Sequence, residues 1–159
     1  MLCRIALTVL DYLTGQTQLM TMSIPLGQYP ELFVHIAPDR QIQIYQNKKS
    51  VSKNSMVEIC RNEYHNFDKK FQVYKNFRDK GYIVSPGIKF GCDFAVYEKG
   101  PGIDHAPFLV QVYNRNENMT STDIVLAGRL ATSVKKQFIL AIPSGKEKVD
   151  YIALDWWKA

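Results

Sequence analysis

At 159 residues, 46% hydrophobic and 22% charged, the chain has enough apolar side chains to bury a core in one domain or in two small ones, which excludes a disordered polypeptide. Twenty Lys and Arg against fifteen Asp and Glu leave a net charge of +5, which favours a polyanionic partner without requiring one. The three cysteines, Cys3, Cys60 and Cys92, are odd in number and share no C-x-x-C spacing, so a reducing interior is expected rather than a disulfide framework or a zinc site.

The opening MLCRIALTVLDYL is apolar, but Arg4, Asp11 and the lack of a small-residue cleavage site argue against a signal peptide. No apolar run reaches the ~20 residues needed to span a bilayer, so the expectation is a cytoplasmic protein with no membrane partner. From Cys3 to Tyr45 the pattern predicts strands at RIALTVL, QLMTMSI, LFVHIA and QIQIY, separated by breaks rich in Gly, Pro and Asp. The run NKKSVSKNS reads as a polar loop. Ser55 with Glu58 three residues on reads as a capping box that opens a helix through about Tyr64.

A second helix is expected from Asn66. The stretch NFDKKFQVYKNFRDKG spaces Phe67, Phe71, Tyr74 and Phe77 at helical intervals and stops at Gly81, and the aromatic stripe reads as a core face. YIVSPGIKFGCDFAVYEKG then reads as a hairpin closed by Ser-Pro-Gly, FLVQVY as a buried strand and NRNENMTSTD as a polar loop. Thr122 or Asp123 is expected to cap the helix DIVLAGRLATSVKK, with Ile124, Leu126, Ala127, Leu130, Ala131 and Val134 on a broad buried face. QFILAI and VDYIALDWW finish as strands. The fold class expected is α/β with mixed sheets, divided into a small N-terminal α/β domain (1–64) and a C-terminal domain (65–159) whose mixed sheet is flanked by helices.

Candidate chemistry lies around the Gly-Pro-Gly turn, where Tyr97 precedes His105 by eight positions. Alone, that pair is matched by a plain structural reading, a tyrosine ending a strand and a histidine in a turn. His35 reads as a sheet histidine, His65 as a solvated helix-junction residue, and Lys135 and Lys136 as a helix end where the dipole favours cations. Asp93 lacks a second carboxylate at the spacing of a metal-dependent nuclease and reads as structural.

The wider string changes the weighing. Tyr74, Phe77, Arg78, Gly81 and Tyr82 form Y-x-x-F-R-x-x-G-Y; Lys89, Phe90, Gly91, Asp93, Phe94 and Tyr97 form K-F-G-x-D-F-x-x-Y; His105 follows; and Ser133, Val134 and Lys136 form S-V-x-K. In these four ordered blocks, over about residues 66–159, the chain resembles the catalytic domain of the tRNA-splicing endonuclease family. The resemblance implies a metal-independent, cofactor-free ribonuclease triad of Tyr97, His105 and Lys136. Attack of an RNA 2′-hydroxyl on its own phosphate needs a base at that hydroxyl, an acid at the leaving 5′-oxygen and positive charge beside the phosphorane. On the family's scheme Tyr97, His105 and Lys136 fill these roles in that order, and the products are a 2′,3′-cyclic phosphate and a 5′-hydroxyl. An ordinary tyrosine titrates near ~10, so a neighbouring Lys136 is expected to favour the phenolate.

The resemblance further implies that Arg129 and Trp156, or its neighbour Trp157, grip a bulged base by stacking. The substrate implied is precursor tRNA with a bulge-helix-bulge motif. Family members assemble as tetramers or double-length dimers through an acidic loop, and NRNENMTSTD offers only Glu117 and Asp123 against Arg115. That implies an α2β2 heterotetramer with a structural subunit, with a homotetramer as the alternative. Other readings remain at this point: a non-catalytic structural subunit of the same endonuclease, a metal-dependent nuclease, or an RNA-binding module.

Overall fold

Alternating Gln and Ile before Tyr45 suit a pleated strand with two unlike faces, and the chain forms a small antiparallel sheet there. β1 (Leu32–Ile36) pairs with β2 (Ile42–Gln46), and β2 with the two-residue β3 (Lys49–Ser50). The structure, a computed structural model, describes residues 32–36, 42–46, 49–145 and 147–154. The strands expected at RIALTVL and QLMTMSI lie outside the described residues, as do Trp156 and Trp157. β3 falls inside the expected polar loop, because both its side chains are exposed and polar and leave no apolar signature.

α1 (Lys53–Glu63) starts earlier than Ser55. The cap is Ser52, whose hydroxyl accepts the N–H of Ser55 at 3.2 Å, so Ser55 is the partner in the first turn rather than the cap. Glu58 pairs instead with Arg61 at 2.8 Å on the exposed face. Met56 and Cys60 are buried.

The described residues fall into two compact units that divide between Phe67 and Asp68. In the second unit, α2 (Phe67–Asp79) buries Val73, Tyr74 and Phe77, so the aromatic stripe is a core face as expected. Tyr74 meets Phe94 with ring centroids 6.2 Å apart. The five-stranded sheet has the order β4 (Ile83–Pro86), β5 (Phe94–Tyr97), β6 (Phe108–Val112), β7 (Gln137–Ser144) and β8 (Lys148–Leu154). All pairs are antiparallel except β6 and β7, whose parallel pairing requires the crossover supplied by α3 (Ser121–Ser133). The mixed sheet with helices is the α/β class expected.

Two expectations in this unit are corrected. K-F-G does not belong to the strand: Ile88–Phe90 form a 3-10 turn, Gly91 is left-handed at φ 67°, and β5 begins only at Phe94. The turn is compact because a Cβ on Gly87 would lie 2.4 Å from the Cys92 Sγ and 2.7 Å from the Cys92 carbonyl oxygen. The second concerns α3, whose cap is Thr120, in a reciprocal box with Asp123, rather than Thr122 or Asp123. Its buried face is also narrower than expected. Ala127 and Ala131 are buried with Leu130 and Val134 beside them, whereas Ile124 and Leu126 stand 45% and 59% exposed.

Directly before β5, Asp93 is only 4% exposed, and both of its carboxylate oxygens are engaged. Lys70 of α2 approaches Oδ1 at 2.8 Å, while the Gln111 amide and the Val112 N–H each donate to Oδ2 at 2.9 Å. The structural reading of Asp93 therefore holds, since its oxygens bind α2 to β6.

Candidate active site

Strand direction decides which residues can meet. β5 ends at Tyr97, β6 begins at Phe108, and β7 begins at Gln137 opposite Phe108. The end of β5 and the starts of β6 and β7 are thus at one end of the sheet, where Tyr97, His105 and Lys136 are delivered by three different connections.

Lys136 is not on the helix. α3 stops at Ser133 with Val134 as its cap, Lys135 takes a left-handed φ of 52°, and Lys136 then leads into β7. The S-V-x-K block therefore spans a helix end and a turn. In that position the Lys136 Nζ donates to the Ala106 carbonyl at 2.6 Å and stands 5.8 Å from the centre of the Phe90 ring. The N–H of Gln137 donates to the Pro107 carbonyl at 3.0 Å, a second tie between the same two segments. Lys136 is thus anchored to the residue that follows His105.

Tyr97 is half-buried, packed with Phe90, Leu130 and Val134 against the cluster of Ala95, Ala106, Leu109 and Ala131. Burial pushes its phenol above the ordinary value of 10.0, and the nearby negative charge of Asp104 pushes it further. Burial and Asp104 both act in the direction opposite to the one expected from Lys136. His105 is exposed.

The remaining proposed contacts are less gathered. Arg129 is exposed on α3, seven residues before Lys136 and about one turn before the helix ends, and Trp156 lies outside the described residues. Sequence reasoning passed over Asp104 and Phe90. The signal for Asp104 was its place directly before His105 and after two glycines. Phe90 was noticed only as part of a motif, because nothing in its spacing marks it as a neighbour of Lys136.

Similarity to known proteins decides the family. The model of the family described as "tRNA intron endonuclease, catalytic C-terminal domain" matches residues 67–151. The chain belongs to the tRNA intron endonuclease family.

Among relatives of the family, it is 48% identical over 93 residues to the tRNA-splicing endonuclease of Pyrobaculum arsenaticum, which covers 58% of this chain and 51% of that protein. To the tRNA-splicing endonuclease of Pyrobaculum islandicum it is 42% identical over 116 residues, 72% of this chain and 63% of that one. To that of Hyperthermus butylicus it is 39% identical over 130 residues, 79% of this chain and 70% of that one. The chain thus spans between 51% and 70% of the length of these relatives. The matched range, residues 67–151, spans the positions of Tyr97, His105 and Lys136.

Proposed function

We propose that the chain is a catalytic subunit of a tRNA-splicing endonuclease that cuts precursor tRNA at bulge-helix-bulge junctions without a metal or other cofactor. The observation that carries this reading is the hydrogen bond from Lys136 to the Ala106 carbonyl, which ties the ammonium to the residue after His105 at the end of the sheet where Tyr97 emerges. The three side chains supply the three needs of transesterification by the RNA's own 2′-hydroxyl. Tyr97 hydrogen-bonds the 2′-hydroxyl, and its phenolate form takes the proton as the oxygen attacks phosphorus. His105 gives a proton to the departing 5′-oxygen, while Lys136 offsets the charge of the phosphorane. The bond formed is 2′-O to phosphorus and the bond broken is phosphorus to 5′-O, so the products are a 2′,3′-cyclic phosphate and a 5′-hydroxyl.

Burial first, and the Asp104 charge after it, raise the Tyr97 phenol above its ordinary value, so the role of the tyrosine begins with orienting the 2′-hydroxyl. Arg129 and Trp156 would stack on the bulged base. An α2β2 assembly with a structural subunit is the arrangement favoured. The Glu117 carboxylate accepts the Asn114 N–H at 3.1 Å, and Asp123 caps its own helix, so both acids of this loop serve its local structure.

The test is cleavage of a bulge-helix-bulge precursor tRNA in EDTA by the purified chain, alone and with candidate partner subunits. Cyclic phosphate ends are expected, with loss of about 100- to 10,000-fold in rate for His105→Ala. Undiminished cleavage by His105→Ala would refute the triad, and tight RNA binding without cleavage in every pairing would identify a structural subunit instead.

A further inference from the structure

The loop between Tyr97 and His105 turns on two glycines with positive φ. Gly100 has φ of 123° and Gly102 φ of 87°, a region that residues with a Cβ rarely enter, and Pro101 lies between them. Such a segment samples many conformations unless something ties it, and each conformation would place His105 differently relative to Tyr97.

Asp104 is the tie. Its Oδ2 accepts the N–H groups of Glu98 at 3.2 Å and Lys99 at 2.9 Å, and its Oδ1 accepts the N–H of Gly100 at 2.8 Å. The backbone closes in the same sense, since the N–H groups of Ile103 and Asp104 both donate to the Gly100 carbonyl at 3.1 Å. The three donors to the carboxylate are the residues directly after Tyr97, and the acceptor is the residue directly before His105. Hydrogen bonds to an ionised carboxylate are about twice as strong as those between neutral groups.

We propose that Asp104 is a positioning residue whose carboxylate sets the placement of His105 relative to Tyr97 by gathering the three N–H groups of the intervening loop. This rests on the reading of Tyr97 and His105 as catalytic. Two facts agree with it. The Lys99 N–H above all, with those of Gly100 and Glu98, holds the Asp104 carboxyl below the ordinary range, as expected of a group bound in its charged form. In addition, the Asp104 charge acts on the Tyr97 phenol.

Asp104→Asn keeps the size of the side chain but replaces one acceptor oxygen with a donor and removes the charge. In cleavage of the precursor tRNA by the complete active assembly, kcat should fall on the order of 10- to 100-fold, with KM unchanged. The Tyr97 phenol should titrate at lower pH than in the parent, and Asp104→Glu, which retains both oxygens, should recover part of kcat. A merely structural aspartate would lower thermal stability and leave the kcat of folded protein where it was, which would overturn the proposal; the shift in the Tyr97 titration follows from loss of the charge in either case.

If Asp104→Asn does not fold, amide exchange in the unaltered protein serves instead. Slow exchange at Glu98, Lys99 and Gly100 is expected, and exchange at the rate of free loop amides would overturn the tie. His105→Ala assayed in parallel separates the two possible failures. An inactive His105→Ala beside a fully active Asp104→Asn would sink the positioning role alone. A fully active His105→Ala would sink the catalytic reading and the positioning role with it.

Discussion

At Tyr97 the question is which of two opposing forces acts on a phenol near an active site. A cation would lower its pKa, whereas burial and an anion raise it. Here the two raising effects prevail, burial first and the Asp104 carboxylate second. In any given buffer Tyr97 should therefore hold less phenolate than a free tyrosine. Ultraviolet difference titration of the parent against Tyr97→Phe should show the Tyr97 phenolate appearing at higher pH than that of a free tyrosine, which titrates near ~10. Appearance well below that value would mean a cation reaches the ring, and a phenolate base would then be plentiful at neutral pH. The tyrosine, histidine and lysine were all legible as residue types in an ordered motif. The direction of the Tyr97 shift was not, because it depends on how deep the ring sits and on Asp104, seven residues away along a folded-back loop.

Among the elements, α2 and the sheet were the most readable. The intervals of Phe67, Tyr74 and Phe77 demand a helix with one apolar stripe, and the structure buries that stripe. What joins α2 to the sheet was hidden, since Lys70 and Asp93 are far apart in sequence and neither belongs to an apolar pattern. Their pair is 2.8 Å long with side chains 12% and 4% exposed. Asp93→Ala would leave the Lys70 ammonium buried without its partner and the Val112 N–H without its acceptor. A loss of about 3–5 kcal/mol is expected, measured by chemical denaturation. A change below about 1 kcal/mol would mean that water reaches Lys70 and takes over the carboxylate's role. The same logic explains the misplaced helix starts. Ser52 and Thr120 are caps because the chain enters each helix extended at those residues, and nearby Ser55, Thr122 and Asp123 are equally good capping types.

For the whole molecule, the prediction concerns assembly. The loop acids Glu117 and Asp123 are held by their own loop, and the exposed side chains of α3 include Ile124, Val125 and Leu126. Sedimentation of the purified chain should show no stable tetramer. Mixing with a structural subunit should give an α2β2 species that cleaves precursor tRNA, and the cleavage should weaken steeply with added salt, as phosphate recognition by a chain of net charge +5 requires. A tetramer formed by the chain alone, and active, would establish the homotetramer instead.

The amino-acid sequence by itself determined the elements and the chemistry-bearing residue types of the C-terminal unit. Hydrophobic period, glycine stops and an ordered motif are local or linear properties. Tertiary structure alone decided that Lys136 leaves its helix to reach the Ala106 carbonyl, that K-F-G turns before the strand begins, and that Asp104 gathers the loop between Tyr97 and His105. Each of these depends on where a backbone carbonyl or N–H comes to lie once strands have paired. Backbone groups are the same at every position, so the identity of the residues cannot announce which of them will meet.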